Sequence, residues 1–280
     1  MTQALSSRVR FAHPGGRVFR RIATGVCLTS LLSVVSVTTA AAQSDEIQVY
    51  DGGLAEVGVF NLTVHNNFTP DGVKTPAFPG AVTSDDSWNG VSEWAYGVTR
   101  WFEAGLYLPL YSHDHDLGWQ IDGFKLRSLF AVPNAADRRF FYGANFEFSV
   151  NTEHWDTKRI TSEIRPIVGW HLGQFDVIVN PIVDTQYNGL KNLEFVPSAR
   201  FSCNTSPHWA VSLEDYSDFG RVSDFESVEN QSHQLFAVVD YVGWLEVQFG
   251  AGFGLTDASD KFQMKVILAK DLNRPRSPRR

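Results

Sequence analysis

The side chains most able to do chemistry in this chain are charged residues that recur at alternate positions of extended segments: Glu93, Glu103, Lys125, Arg127, Glu147, Glu163, Arg165, Asp176, Asp184, Arg200, Glu214, Asp240, Glu246 and Lys265. Mixed charge on one face of β-structure has two uses. It can line a hydrated path with a selective constriction, in which Lys125, Arg127, Arg165 and Arg200 face Glu147 and Glu163. It can also form a buried ion-pair network that fills the space. The candidate lumen-lining set is Lys125, Arg127, Glu147, Glu163, Arg165, Asp176, Asp184, Arg200, Glu214 and Glu246.

Other chemistry is thinly supported. His113-Asp114-His115-Asp116 puts two imidazoles on one side of an extended segment, as a surface metal site does, but the spacing is common and a solvated loop explains it. Asp85-Asp86, Asp257 and Asp260 read as solvated acids. Ser149, His154 and Ser162 fall near one rim and His171 near the other, without a motif that brings a nucleophile to a base. No phosphate-binding glycine loop, cysteine metal motif or nucleotide fingerprint is present. The sequence therefore assigns no catalytic residue, metal site or cofactor, and the chain reads as a non-enzyme.

The elements that must position these charges are legible at Glu163 to Asp184. Backwards from Leu172, alternate residues are Trp170, Val168, Pro166 and Ile164; forwards from Phe175 they are Val177, Val179, Pro181 and Val183. The opposite face carries Glu163, Arg165, Ile167, Gly169 and His171, then Asp176, Ile178, Asn180, Ile182 and Asp184, so character changes with the period of two that a strand imposes. A strand crossing an outer membrane at a tilt of about 45° needs about 9–11 residues, and each arm reaches that length. With Gly173-Gln174 as a two-residue turn, Pro166 lies opposite Pro181. Neither has an N–H to donate, which predicts a bulge or register shift there.

Twelve such segments follow from Val57, near 57–67, 91–99, 102–112, 119–132, 140–151, 160–172, 175–187, 193–204, 209–217, 233–241, 245–255 and 261–270. Tight joins alternate with polar ones, the longest being Thr69 to Gly90 and Gly220 to Gln231. An even-stranded up-and-down barrel produces this alternation, with long outer loops at one end and short periplasmic turns at the other. The uncharged rows, such as Phe140, Tyr142, Ala144, Phe146, Phe148 and Val150, then face lipid, since Lys or Arg there costs about 2–4 kcal/mol at mid-bilayer. Trp88, Trp101, Trp119, Trp155, Trp209 and Trp244 sit beside joins, where interfacial rings belong. The fold class is all-β: a transmembrane up-and-down antiparallel β-barrel of about 12 strands.

Export fits that reading. Arg17, Arg20 and Arg21 precede an apolar run, Ile22 to Ala42, that ends Ala40-Ala41-Ala42, the pattern of a secretory signal cleaved near Ala42. Residues 1–42 carry five arginines and no acids, so their loss takes the net charge from -7 to -12, and a nucleic-acid partner is not expected. The expected organisation is a signal peptide at 1–42, a periplasmic lead-in at 43–56, the barrel at 57–272 and a disordered basic tail at 273–280.

The stretches EWAYGVTRWFEAGLYLPLY, RRFFYGANFEFS, SEIRPIVGWHLG and LFAVVDY resemble an uncharacterised family of proteobacterial outer-membrane proteins. That family is similar, distantly, to the barrels associated with meta-pathway phenol degradation. The resemblance implies a Gram-negative outer-membrane location and passage of small organic solutes, and it carries over no site residue. The expected partners are outer-membrane lipids, a small-molecule solute and the outer-membrane assembly machinery. Such barrels commonly end on an aromatic residue, whereas this chain passes Leu272 into an Arg-rich tail. Three functions follow in order: a passive or gated channel for small solutes, aromatic or hydrophobic ones among them; a non-conducting structural or adhesion barrel; an outer-membrane lipid hydrolase.

Overall fold

The computed structural model describes residues 45–273; the expected signal peptide and nearly all of the expected tail lie outside them. The strands are β1 (Phe60–Asp71), β2 (Ser87–Thr99), β3 (Phe102–Asp114), β4 (Gly118–Ala131), β5 (Phe140–Asn151), β6 (Ile160–Leu172), β7 (Phe175–Asn180), β8 (Val183–Thr185), β9 (Glu194–Phe195), β10 (Ser198–Asn204), β11 (Trp209–Asp218), β12 (Gly220–Arg221), β13 (Asp224–Phe225), β14 (Ser232–Tyr241), β15 (Glu246–Gly254) and β16 (Phe262–Asp271). β7 with β8, and β9 with β10, are halves of two staves. Consecutive staves pair antiparallel, and β1 pairs with β16, Val64 opposite Leu268, so twelve staves close into an up-and-down barrel. Closure pairs the first stave with the last, so no stave is left as a free edge, the requirement that lipid imposes on a sheet. The small β12–β13 hairpin stands in the join after β11 and was not legible in the sequence.

Alternation decides the two faces. On β5, Phe140, Tyr142, Phe146 and Phe148 are exposed outward, while Phe141, Asn145, Glu147 and Ser149 are buried inward. Trp88, Trp101, Trp119, Trp209 and Trp244 are exposed beside joins. Trp155, placed with them by sequence, instead lines an inner cavity.

The wall is interrupted once across neighbouring staves. Val168 faces Val179 and Ile164 faces Val183, which sets Pro166 opposite Pro181. Asn180 faces Ser198 and Val183 faces Phe195, which sets Pro181 opposite Pro197. Three prolines thus stand in one row, and the ladder lapses between β7 and β8 and between β9 and β10. The bulge or register shift expected at Pro166 and Pro181 is corrected: the ladder opens, yet resumes in the same register on both sides. The turn at Gly173-Gln174 and the pairs beyond the gap hold it, because a one-residue slip would carry every apolar side chain of β7 into the lumen. One backbone bond spans the interrupted staves, Val196 N–H to Ile182 O at 3.1 Å.

Replacing Pro166 and Pro181 together by valine returns two facing donors to the ladder. The double variant is expected to gain about 1–3 kcal/mol, two net hydrogen bonds, read as a higher urea midpoint by tryptophan fluorescence in detergent micelles.

Candidate solute pathway and its internal plug

The barrel interior is occupied by the chain's own Asp45–Ala55, which is a correction to the lead-in expected below the barrel at 43–56. This segment belongs to no sheet, and wall side chains satisfy its backbone. Asn180, fully buried, accepts from Tyr50 N–H at 2.7 Å through Oδ1 and donates to Tyr50 O at 3.0 Å through Nδ2. Lys265 Nζ donates to Ile47 O at 2.9 Å, Arg165 to Gln48 O at 3.1 Å, and Asn67 Nδ2 to Asp45 O at 3.1 Å. Ala55 N–H donates to Glu103 at 2.5 Å. Hence the segment crosses from mid-barrel to the short-join end held by side-chain contacts and outside every strand of the described residues.

Charges on the wall meet charges on this plug. Lys125 lies 2.7 Å from Asp45 and 3.4 Å from Glu147. Arg165 lies 2.6 Å from Glu163 and 3.4 Å from Glu46, and its guanidinium stacks over the Tyr50 ring at 4.4 Å. Arg127 pairs with Glu93 at 2.8 Å and with Glu103. Lys265, fully buried, pairs with Glu214, which also lies 3.4 Å from Arg200; Arg200 reaches Asp240 at 2.5 Å. Tyr50 and Tyr107 share a hydroxyl hydrogen bond below this layer. Burial pushes the Glu46 carboxyl up to about 7, against the opposing pull of Arg165.

Of the sequence-predicted lining residues, the structure gathers Lys125, Arg127, Glu147, Glu163, Arg165, Asp184, Arg200 and Glu214 inside the barrel. Asp176 sits instead at the short-join rim, hydrogen-bonded with His171 Nδ1 at 2.6 Å and Asn204 Nδ2 at 2.7 Å, and Glu246 is exposed at the same end. Sequence reasoning missed Asp45, Glu46, Tyr50 and Asn180. One signal was present: Ile167 and Ile178 lie in the charged rows, and they pack with Val49, Tyr50, Leu129, Ala135 and Phe141 into an apolar cluster. A water-filled lumen has no use for those isoleucines. Gly169 makes the cluster possible, since a Cβ there would fall 2.0 Å from the Phe141 ring.

Above the plug lies a cavity of about 580 Å³. Asp45, Glu46 and Ile47 form its floor, and Ala77, Phe78 and Ser84 cover it from the β1–β2 loop. That loop is pinned inward by Val73 N–H and Ser84 Oγ on Asp260, at 2.8 and 2.6 Å, and by Thr83 N–H on Asp114 at 2.8 Å. Asp114 also accepts from the N–H groups of Asp116 and Leu117, and His113 packs on Trp119, so the His-Asp-His-Asp stretch builds a turn.

Among the described residues a serine does meet a histidine side chain, and neither was singled out from sequence. Ser217 Oγ lies 2.8 Å from His233 Nδ1, whose Nε2 is 3.1 Å from Gln231 Oε1. The serine hydroxyl also donates to Asp215 at 2.8 Å, and its N–H is spent on Pro197 O. A nucleophile hands its proton to the base, whereas this serine hydroxyl is shared between His233 and Asp215.

No protein-family profile matches the chain, and no curated protein sequence matches it. Among solved structures, the COG4313 outer membrane channel from Pseudomonas putida F1 is similar over 81% of this chain and 100% of that one, at 11% identity and a TM-score of 0.53. The chain has the fold of an outer-membrane β-barrel. The NanC porin aligns over 75% of this chain and 97% of that one at 6% identity with a TM-score of 0.48, and Pseudomonas aeruginosa OprD over 75% and 66% at 13% identity with a TM-score of 0.34.

Lys265→Met removes the nearer of the two cations paired with the fully buried Glu214, leaving Arg200 at 3.4 Å. With Arg200 still in place it is expected to cost about 1–3 kcal/mol, the loss of a charged hydrogen bond, whereas K265M/E214L, which leaves Arg200 paired with Asp240, costs less; urea unfolding of both variants measures the difference.

Proposed function

We propose that the chain is an outer-membrane channel for small solutes, aromatic or hydrophobic ones among them, whose lumen is closed by its own Asp45–Ala55 segment. The observation that carries this reading is the manner in which the plug is held. Its backbone is bonded to wall side chains rather than built into the sheet, so it can leave without breaking a barrel ladder. Its departure would leave Lys125, Arg127, Arg165, Lys265 and their carboxylate partners lining a polar path, the setting in which rings of charge select ions and solutes. The outward apolar rows and tryptophans favour a lipid surround, with the short joins periplasmic and the long loops outside.

A second reading has its own support. The cluster of Val49, Tyr50, Leu129, Phe141, Ile167 and Ile178 closes the short-join half of the lumen. A permanently closed barrel, acting through its outer loops, needs just such a core.

Planar-bilayer recording separates the two. Protein lacking residues 45–54 is expected to conduct steadily where the full chain shows rare openings; silence of both, with no solute uptake by liposomes, would leave the non-conducting barrel.

The plug also predicts a pH response. Seated, the Glu46 carboxyl titrates near 7; released, it returns to its ordinary 4.5. The seated state therefore holds the proton more tightly, and seating is strongest below pH 4.5 and weakens as pH rises through 7. Opening frequency is expected to climb across that window, and Glu46→Gln, neutral throughout, to flatten the climb.

A further inference from the structure

We infer that the proline seam across β6, the β7–β8 stave and the β9–β10 stave is a lateral gate, through which small uncharged apolar solutes pass from the cavity above the plug into the hydrocarbon of the bilayer. Such a gate presupposes the channel reading for how a solute enters the cavity, and adds which solutes leave sideways. The seam lies at membrane depth. Pro166 is four residues along β6 from Trp170, whose ring is exposed near the short join, and this places it about 10 Å into an apolar band about 25 Å tall. Its outward neighbours Ile164 and Val179 are exposed, as lipid-facing residues are.

The wall is held more weakly here than along its ladders. Residues Arg165 to Ile167 of β6 have no ladder partner on the β7–β8 side, where pairing stops at Val168 and resumes at Ile164. On the other side of Pro181 and Ile182, the backbone bond that spans the gap among the described residues runs from Val196 N–H to Ile182 O. Parting the staves at this level breaks that one bond, whereas parting them elsewhere breaks a ladder. The gap is lined by apolar groups: Pro166, Pro181 and Pro197 lie in the outward rows, and buried Ile167 and Ile182 lie in the inward rows with Val196. Its inner side borders the cavity, because Arg165 and Val196 belong to both. Lipid tolerates irregular backbone only where it is buried in protein or lines a cavity, and this stretch lines one.

The plug braces this gap from within. Arg165, on one rim, stacks over the Tyr50 ring and donates to Gln48 O, while Asn180, on the other rim, pairs with the Tyr50 backbone. Seated, the plug ties together two rims that the ladder leaves apart. Its release, which opens the axial path, frees both rims as well. Charge then sorts the two routes. An ion stays in the polar lumen, because burying its charge in hydrocarbon is costly, whereas an apolar solute gains free energy by leaving water for the bilayer.

The probe is N-phenyl-1-naphthylamine, an uncharged aromatic that fluoresces in hydrocarbon but hardly in water and that an intact lipopolysaccharide leaflet excludes. Gram-negative cells bearing the full chain are expected to take it up faster than cells without the barrel. P166V/P181V, which returns two donors to the ladder and is expected to fold more stably, should cut that excess rate about tenfold at equal surface amount. Pro207→Ala, in the short join before β11, should leave it unchanged. In protein lacking residues 45–54, P166V/P181V should leave the single-channel current as it was. No excess uptake, an excess that P166V/P181V does not lower, or an equal fall in uptake and current would overturn the gate. Seam-dependent uptake without conductance refutes the axial channel and keeps the gate; conductance with seam-independent uptake keeps the channel and refutes the gate.

Discussion

A sheet facing lipid must send its charges inward, and twelve staves enclose too little space to let those charges stay apart. Arg127 has two glutamates at ion-pair distance, as does Arg165, and Lys125 and Lys265 lie against carboxylates of their own. Desolvated charges of this kind are costly unless every one is answered. The wall does not answer them all by itself. Asp45 and Glu46 supply carboxylates to Lys125 and Arg165, and the carbonyls of Ile47 and Gln48 take further donors from Lys265 and Arg165. The plug is thus part of the electrostatic closure of the barrel as well as a stopper in it.

The lower half of the lumen obeys a different rule. There Ile167, Ile178, Leu129 and Phe141 turn inward and receive Val49 and Tyr50, giving the barrel a small hydrophobic core where a wide porin has water. Asn180 joins the two regimes. It lies beside Pro181, where the ladder lapses, and its amide pairs with the Tyr50 backbone as a strand neighbour would.

The upper half keeps the imbalance. Cations are concentrated where the plug meets the wall, and Asp184 and Glu194, which continue the cross-strand row of Glu163, line the space above it without an ion pair among the described residues.

The twelve staves, their alternation and the short-to-long pattern of joins were written in local order: period two, turn residues and run length act between neighbours in the chain, and β5 and β6 fall on the expected residues. The charged rows were legible for the same reason, and eight of the lining candidates meet inside. Three things depended on contacts far apart in sequence. Asp45 to Ala55 has little periodicity, and its place inside the barrel follows from partners such as Asn180 for Tyr50, 130 residues away. The proline row needed three staves in register, and the sequence of one hairpin showed only its first pair. Which acids are answered and which are left bare was settled by the closed sheet, because closure alone sets who stands opposite whom, and ion pairing acts across a few ångströms of space rather than along the chain.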